Sequence, residues 1–174
     1  SRRRSRHTSY RATTDTASRH TASAHWRSQF TLPLVGITGS NGKTIIKEWL
    51  FQLLQKQYKI VRSPKSYNSQ IGVPLSVWQM EEENTMAIFE GGISQPDEME
   101  KLQAIIKPTI GIFTNIGEAH NENFISLNQK IGEKLKFFTK VDTLIYCTDH
   151  TAIQEVLIRS QIMETINAFT WSAK

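Results

Sequence analysis

In "GITGSNGKTIIKEWL", Gly36 to Leu50, three glycines, a lysine and a threonine stand directly between an apolar run and an amphipathic one. That order predicts a strand, a tight curl and a helix. Gly36, Gly39 and Gly42 let the backbone take positive φ, so that successive N–H groups, with those of Ser40 and Asn41 between them, turn toward an anion. The helix that follows adds the positive end of its dipole. Lys43 then reaches terminal phosphates, and the Thr44 hydroxyl is placed to ligate Mg²⁺, as in G-x-x-x-x-G-K-[ST]. One position departs from that spacing, since Ile37 stands where its first glycine would be.

From Phe30 onward, apolar runs alternate with helical patterns. The runs are "LPLVGIT", "YKIVRS", "MAIFE", "TIGIFTN", "TLIYCT" and "AFTWS". Helices are predicted over about Lys43–Gln57, Gly72–Met80, Pro96–Ile106 and Ser126–Phe138, and after Asp149. This alternation predicts an α/β fold with a mostly parallel sheet flanked by helices and a phosphate loop after the first strand. Ligands of such sheets gather beyond the carboxyl ends of the strands. The unusual residues sit there: 39–44, 67–70, 90–92 and 115–122 each follow a strand run.

Glu90 ends the strand "MAIFE" and is either a solvated strand-end acid or, beside a phosphate loop, an oxygen ligand for Mg²⁺. The loop "TNIGEAHNENF" holds Asn115, Glu118, His120, Glu122 and Asn123 on the same edge, which gives His120 a metal or phosphate role. In "ISLNQKIGEKLKFF", Leu127, Ile131, Lys134 and Phe138 recur at helical spacing, so Lys134 points with the apolar stripe. Lys134 either snorkels to water, or burial lowers its pKa and makes it a reactive amine.

The net charge of +5 resides at the start of the chain, where residues 1–30 hold seven arginines against Asp15. The first 24 residues contain no Leu, Ile, Val, Met, Phe or Trp, so residues 1–29 read as a disordered leader. The alternative is an arginine arm for nucleic acid, but no aromatic or zinc-finger pattern follows it. The single Cys147 reads as a buried strand thiol, and no run is long enough to span a bilayer, which points to the cytoplasm.

Taken together, "ITGSNGKT", "SYNSQIGVPL", "FEGGISQPDEM", "TNIGEAH" and the helix ending "KLKFF" resemble the central ATP-binding domain of the Mur ligase family, over residues 30–174. The second and third segments are most similar to the branch that adds D-alanyl-D-alanine to UDP-N-acetylmuramoyl-tripeptide. Other branches add single amino acids, or glutamates to folate. The resemblance implies ATP and Mg²⁺ as cofactors, UDP-muramoyl peptide and D-Ala-D-Ala as partners, and neither membrane nor nucleic acid.

It further implies that Gly39, Ser40, Asn41, Gly42, Lys43, Thr44, Asn68 and Asn115 bind ATP, with Gln70 a rival to Asn68. Thr44 and Glu90 would hold one Mg²⁺ and His120 a second. Lys134 would be carbamylated by CO₂ and help to position the metal, so that Lys43, Lys134 and His120 form the catalytic group. The family pattern has a non-glycine residue at Gly91 and glycine at Asp97. It also has flanking domains for the UDP-sugar and the incoming amine, so this chain is expected to be one part of a ligase and inactive alone. A nucleotide-hydrolysing module with a basic arm is the other reading, but the N-K-x-D segment that reads guanine is absent from the sequence.

Overall fold

The computed structural model describes the backbone of residues 2–117 and 121–174 and the side chains of residues 15–117 and 122–174. Helix α1 (Arg2–Arg27) leads into β1 (Leu34–Thr38), α2 (Lys43–Leu54), β2 (Ile60–Arg62), α3 (Gly72–Val77) and β3 (Met86–Glu90). These are followed by α4 (Met99–Ile106), β4 (Ile110–Phe113), α5 (Leu127–Leu135), β5 (Thr143–Cys147), α6 (Thr151–Arg159) and β6 (Asn167–Trp171). Each predicted strand and helix is present; the ends move by a few residues, as at α2, which stops at Leu54.

The six strands form one sheet in the order β2-β3-β1-β4-β5-β6, and every pair is parallel. Parallel strands need crossovers, and crossovers of one hand put helices on a face set by the direction of travel. The chain leaves β1 toward β2 in one direction and then steps back through β3, β4, β5 and β6. Accordingly α2 packs on one face, where Ile46 and Leu50 meet Val35, Ile37 and Ile88. The opposite face carries the larger core, with Val77, Leu102, Ile106, Ile131, Phe137 and Leu157 buried together. β1 and β3 are covered on both faces, which is why "LVGIT" and "MAIFE" are buried throughout and show no alternation.

Register levels the strand ends. Ile37 lies opposite Glu90 and Thr38 opposite Phe113, so the residues after β1, β3 and β4 emerge side by side. Cys147 is a free, buried strand thiol, as its sequence suggests. Among the described residues no helix is long and apolar enough to cross a membrane.

The leader differs from expectation. Residues 1–29 read as disordered, yet α1 runs to Arg27 and its C-terminal part is docked. Ser23 and Arg27 are buried, Ala24, Trp26 and Phe30 pack against the core, and the Trp26 and Trp78 rings stack 5.5 Å apart. The physical reason is local: a few contacts at one end of the helix replace the aliphatic face that its composition lacks. Arg27 supplies the strongest of them, donating from Nε to Ile106 O at 2.9 Å and from Nη1 to Phe30 O at 2.7 Å. Burial pulls its pKa below the usual arginine value. Arg27→Ala should therefore lower stability by about 1–3 kcal/mol, since it strips a buried carbonyl of its donor; urea unfolding of the two chains measures it.

Candidate nucleotide and metal site

The phosphate loop is the curl between β1 and α2. Gly39 has φ 142° and Gly42 has φ 80°, as expected for a reversing backbone. A Cβ at Gly39 would stand 2.0 Å from Thr114 Oγ1, so that position admits glycine alone. Gly36 is a correction to the sequence reading. It lies within β1 and takes no part in the curl; a Cβ there would fall 2.7 Å from Pro108 Cβ and 2.9 Å from Phe137 Cε1. Close packing, rather than positive φ, requires it.

The loop is braced from the β4 side. Ser40 N donates to Asn115 O at 2.9 Å, and Asn41 N donates to Asn115 Oδ1 at 3.0 Å. Thr114 Oγ1 donates to Asn41 O at 2.6 Å, while Gly117 N donates to Ser40 Oγ at 2.9 Å. Asn115 therefore shapes the loop through contacts that its sequence position does not reveal. Two of the loop N–H groups expected to face an anion, those of Ser40 and Asn41, are already engaged. The opening of α2 differs, because its N-cap is Gly42 and no side chain caps it. Its first-turn donors face a cleft lined by Ser40, Asn41, Gly42, Lys43, Thr44, Ile45 and Asn68, with a volume of about 310 Å³.

Lys43 Nζ donates to Gly39 O at 2.8 Å and to Ser40 O at 3.2 Å, so its ammonium lies across the loop. Burial pulls its pKa down, against a pull upward from Glu90. Thr44 Oγ1 donates to Glu90 Oε2 at 3.1 Å, and Asn68 Nδ2 lies 3.5 Å from the same oxygen. Glu90 has no solvent exposure, which sets aside the solvated strand-end reading. Its other oxygen, Oε1, lies 2.9 Å from Lys47 Nζ. Lys47 escaped the sequence reading; the only signal was its position three residues after Thr44 and four after Lys43, on the inward side of α2.

Asn68, rather than Gln70, reaches this corner. Gln70 Nε2 donates to Glu98 O at 2.9 Å, and its buried Oε1 has no hydrogen-bond partner among the described residues. Gly92 permits the approach of Asn68: its N–H donates to Asn68 O at 2.7 Å, and a Cβ there would meet Asn68 Oδ1 at 2.7 Å. The two departures from the family pattern flank this point. Gly91 lies where a Cβ would come 3.0 Å from Phe137 Cζ, while Asp97 takes φ 63°, a left-handed value that favours glycine.

Lys134 is buried and donates to Gly39 O at 3.3 Å, so it shares one carbonyl with Lys43. Desolvation, then the charges of Lys43 and Lys130, lower its pKa to about 7. Snorkelling is thereby set aside, since the amine points inward to the loop. Ile131 and Phe138 are buried beside it as expected, but Leu127 is 44% exposed. Leu127 opens the helix beyond the reach of the core, while Lys130, unremarkable in the sequence, is buried and donates to Gly117 O. A second cleft of about 320 Å³ joins Gly39, Lys43, Asn68, Gln70, Glu98 and Lys134.

Whether these residues suit Mg²⁺ follows from the donors present. Thr44 and Glu90 present a hydroxyl and a carboxylate within contact of one another, a hard oxygen pair beside the loop, and Mg²⁺ is held in such sites by one or two protein oxygens plus phosphates and waters. The residues fit the ion. Among the described residues no group of three His, Cys, Asp or Glu converges, and Glu118 and His120 lie outside the described residues.

Comparison with known proteins bears on the fold and the family. The UDP-N-acetylmuramoyl-tripeptide–D-alanyl-D-alanine ligase of Borreliella burgdorferi is 44% identical over 106 residues, which are 61% of this chain and 23% of that protein. The chain spans about a quarter of the length of such curated relatives. Among solved structures, MurF from Acinetobacter baumannii superposes with TM-score 0.82 at 21% identity, over 89% of this chain and 34% of that one. MurF ligase from Thermotoga maritima in complex with ADP gives TM-score 0.80 at 22% identity, over 91% and 37%. At those identities the structures establish the fold. The Mur ligase middle domain pattern matches residues 37–172, most of the chain, and the chain belongs to that family.

Proposed function

We propose that this chain is the ATP-binding part of a cytoplasmic ligase that adds D-alanyl-D-alanine to UDP-N-acetylmuramoyl-tripeptide in peptidoglycan precursor synthesis. The observation that carries the reading is the convergence, at one sheet edge, of an uncapped helix start, Lys43, the Thr44–Glu90 pair and buried Lys134. The substrate assignment rests on the names of the curated relatives, and that of the nucleotide on the ADP complex of the Thermotoga maritima ligase.

In this reading the loop Gly39–Gly42 and the first turn of α2 cradle the phosphates of ATP. Lys43 leaves the carbonyls of Gly39 and Ser40 for the phosphoryl oxygens and steadies their charge. An oxygen of the peptide carboxylate bonds to the γ-phosphorus as ADP departs. The incoming amine then bonds to the acyl carbon, phosphate leaves, and the amine loses a proton. Thr44 and Glu90 would hold one Mg²⁺ and His120 a second, and the ions would supply charge neutralisation on the phosphates. Asn68 faces the γ-phosphate, and Asn115 fixes the loop. Lys134, carbamylated by CO₂ with loss of a proton, becomes an anion on the metal side of the cleft.

Lys43→Ala should weaken ATP binding by about tenfold or more while circular dichroism stays unchanged, because a charged hydrogen-bond donor is lost from the phosphates. Titration calorimetry measures it, and unaltered affinity removes the phosphate-loop assignment. ATP should also raise the melting midpoint more than GTP.

Lys134 gives a pH-dependent expectation. Its folded pKa of about 7 lies below the ordinary 10.5, so between those values the unfolded chain holds a proton that the folded chain does not. Stability contributed at this site therefore rises with pH across that window. Lys134→Met should stabilise the unmodified chain below pH 7, by up to about 5 kcal/mol, with the gain fading toward pH 10.5. Only the neutral amine takes up CO₂, so a carbamate signal in ¹³C NMR should grow from pH 6 to 8 and vanish in Lys134→Met. Its absence at pH 8 with Mg²⁺ and nucleotide present overturns the carbamate role.

A further inference from the structure

Lys47 is among the largest fully buried side chains, and nothing in the proposed reaction uses it. Its ammonium is surrounded by oxygens: Ser63 O at 2.7 Å, Lys65 O, Glu90 Oε1 at 2.9 Å and Glu48 Oε1 at 3.5 Å. Two carbonyls from the segment after β2 hold it in place, so it cannot swing away from Glu90. That segment continues to Asn68, and one ammonium thus ties together α2, the carboxylate ending β3 and the loop that brings Asn68 to the corner.

The two oxygens of Glu90 are divided by this contact. Oε1 is given to Lys47, while Oε2 faces Thr44 and Asn68 on the side of the phosphate loop. The electrostatic consequence is as important as the orientation. With Lys134 unmodified, as in bicarbonate-free buffer, Glu90 is already neutralised by a fixed ammonium, and Lys43 and Lys134 add two further amines at Gly39 O. A dication arriving alone would meet an environment with no negative charge to spare. One arriving with a polyphosphate brings its own.

We propose that Lys47 is a positioning residue that turns Glu90 Oε2 toward the cation and makes the site accept a divalent ion only in company with a nucleotide. This rests on the reading of Thr44 and Glu90 as the cation corner. Free-energy coupling between metal and nucleotide is reciprocal, so Lys47 sets how strongly each ligand calls for the other.

The test is Mn²⁺ binding to the full chain, followed by electron paramagnetic resonance with and without ADP. Wild type should bind Mn²⁺ weakly alone and tightly with ADP. Lys47→Met removes the charge at similar volume, and Lys47→Gln keeps a donor without it. In both, affinity for Mn²⁺ alone should rise about tenfold, and the enhancement by ADP should shrink by about as much. A lysine that merely held the fold together would, when replaced, weaken both. No gain for Mn²⁺ alone in either variant overturns the proposal. If a variant needs metal to fold, its melting midpoint should climb more steeply with Mn²⁺ than that of wild type. Failure of both to fold at any Mn²⁺ concentration also overturns it, because a dication should replace the missing ammonium. Glu90→Gln separates the two readings. If it leaves Mn²⁺–ADP binding intact, the cation corner itself is wrong; if it abolishes that binding while the Lys47 variants bind Mn²⁺ no tighter alone, only the role of Lys47 fails.

Discussion

Thr38, at the end of the central strand, ties three strand ends into one level. Its Oγ1 donates to Gly91 O at 2.7 Å, its carbonyl accepts from Thr114 N at 2.9 Å, and its neighbour Ile37 O accepts from Gly91 N at 2.9 Å. These bonds extend the two ladders of β1 by one residue beyond the sheet. Glu90 and Gly91 on one side, and Thr114 and Asn115 on the other, are thereby brought level with the loop that begins at Gly39. A slip of one register position would turn each of these side chains to the other face of the sheet. The order β3-β1-β4, with β1 covered on both faces, fixes that register by burying Val35, Ile37 and Phe89.

The level edge is also where the molecule concentrates charge without water. Lys47, Glu90, Lys130, Glu133 and Lys134 are all buried, and each has a partner that limits the cost of burial. Glu133 Oε1 accepts from Met99 N at 3.2 Å, and its Oε2 pairs with Lys136 at 2.7 Å, which anchors α5 to the start of α4. Breaking a buried ion pair typically costs about 3–5 kcal/mol, whereas an exposed one is worth about 1 kcal/mol or less. The Lys59–Glu83 contact is of the second kind. The Lys47–Glu90 and Glu133–Lys136 pairs thus hold the sheet edge together, whereas Lys134 sits there at a cost in stability.

Most of the architecture was legible in the sequence, because short apolar runs separated by helical periods leave few alternatives to a parallel sheet. The loop was legible because glycine, lysine and threonine at that spacing serve backbone geometry and phosphate chemistry together. What escaped was burial decided by tertiary contact. Arg27 and Ser23 look solvated in a leader without large aliphatics, and it takes the carbonyl of Ile106, 79 residues away, beside that of Phe30 to make Arg27 an interior residue. Lys47 sits in "KEWL" like any helix-surface lysine, and its acceptors come from residues 63, 65 and 90. Lys134 was legible by periodicity, but the same periodicity expected Leu127 inward and gave no hint of Lys130. Gly92 acts by giving Asn68 room and Asn115 by accepting from loop N–H groups, and composition carries no signal for either.

The outermost strand of the sheet, β6, is open to solvent along its whole length. All five residues of β6, Asn167–Trp171, are exposed, with Phe169 at 64% and Trp171 at 54%, and among the described residues the strand pairs with β5 alone. It contains no lysine, proline or bulge of the kind that blunts such edges elsewhere. An extended, aromatic ribbon of unpaired peptide groups templates further strands, and the net positive charge lies mostly at the other end of the chain. Edge-to-edge association in concentrated solution is the consequence expected of such a strand, and a lysine introduced among these five residues would oppose it.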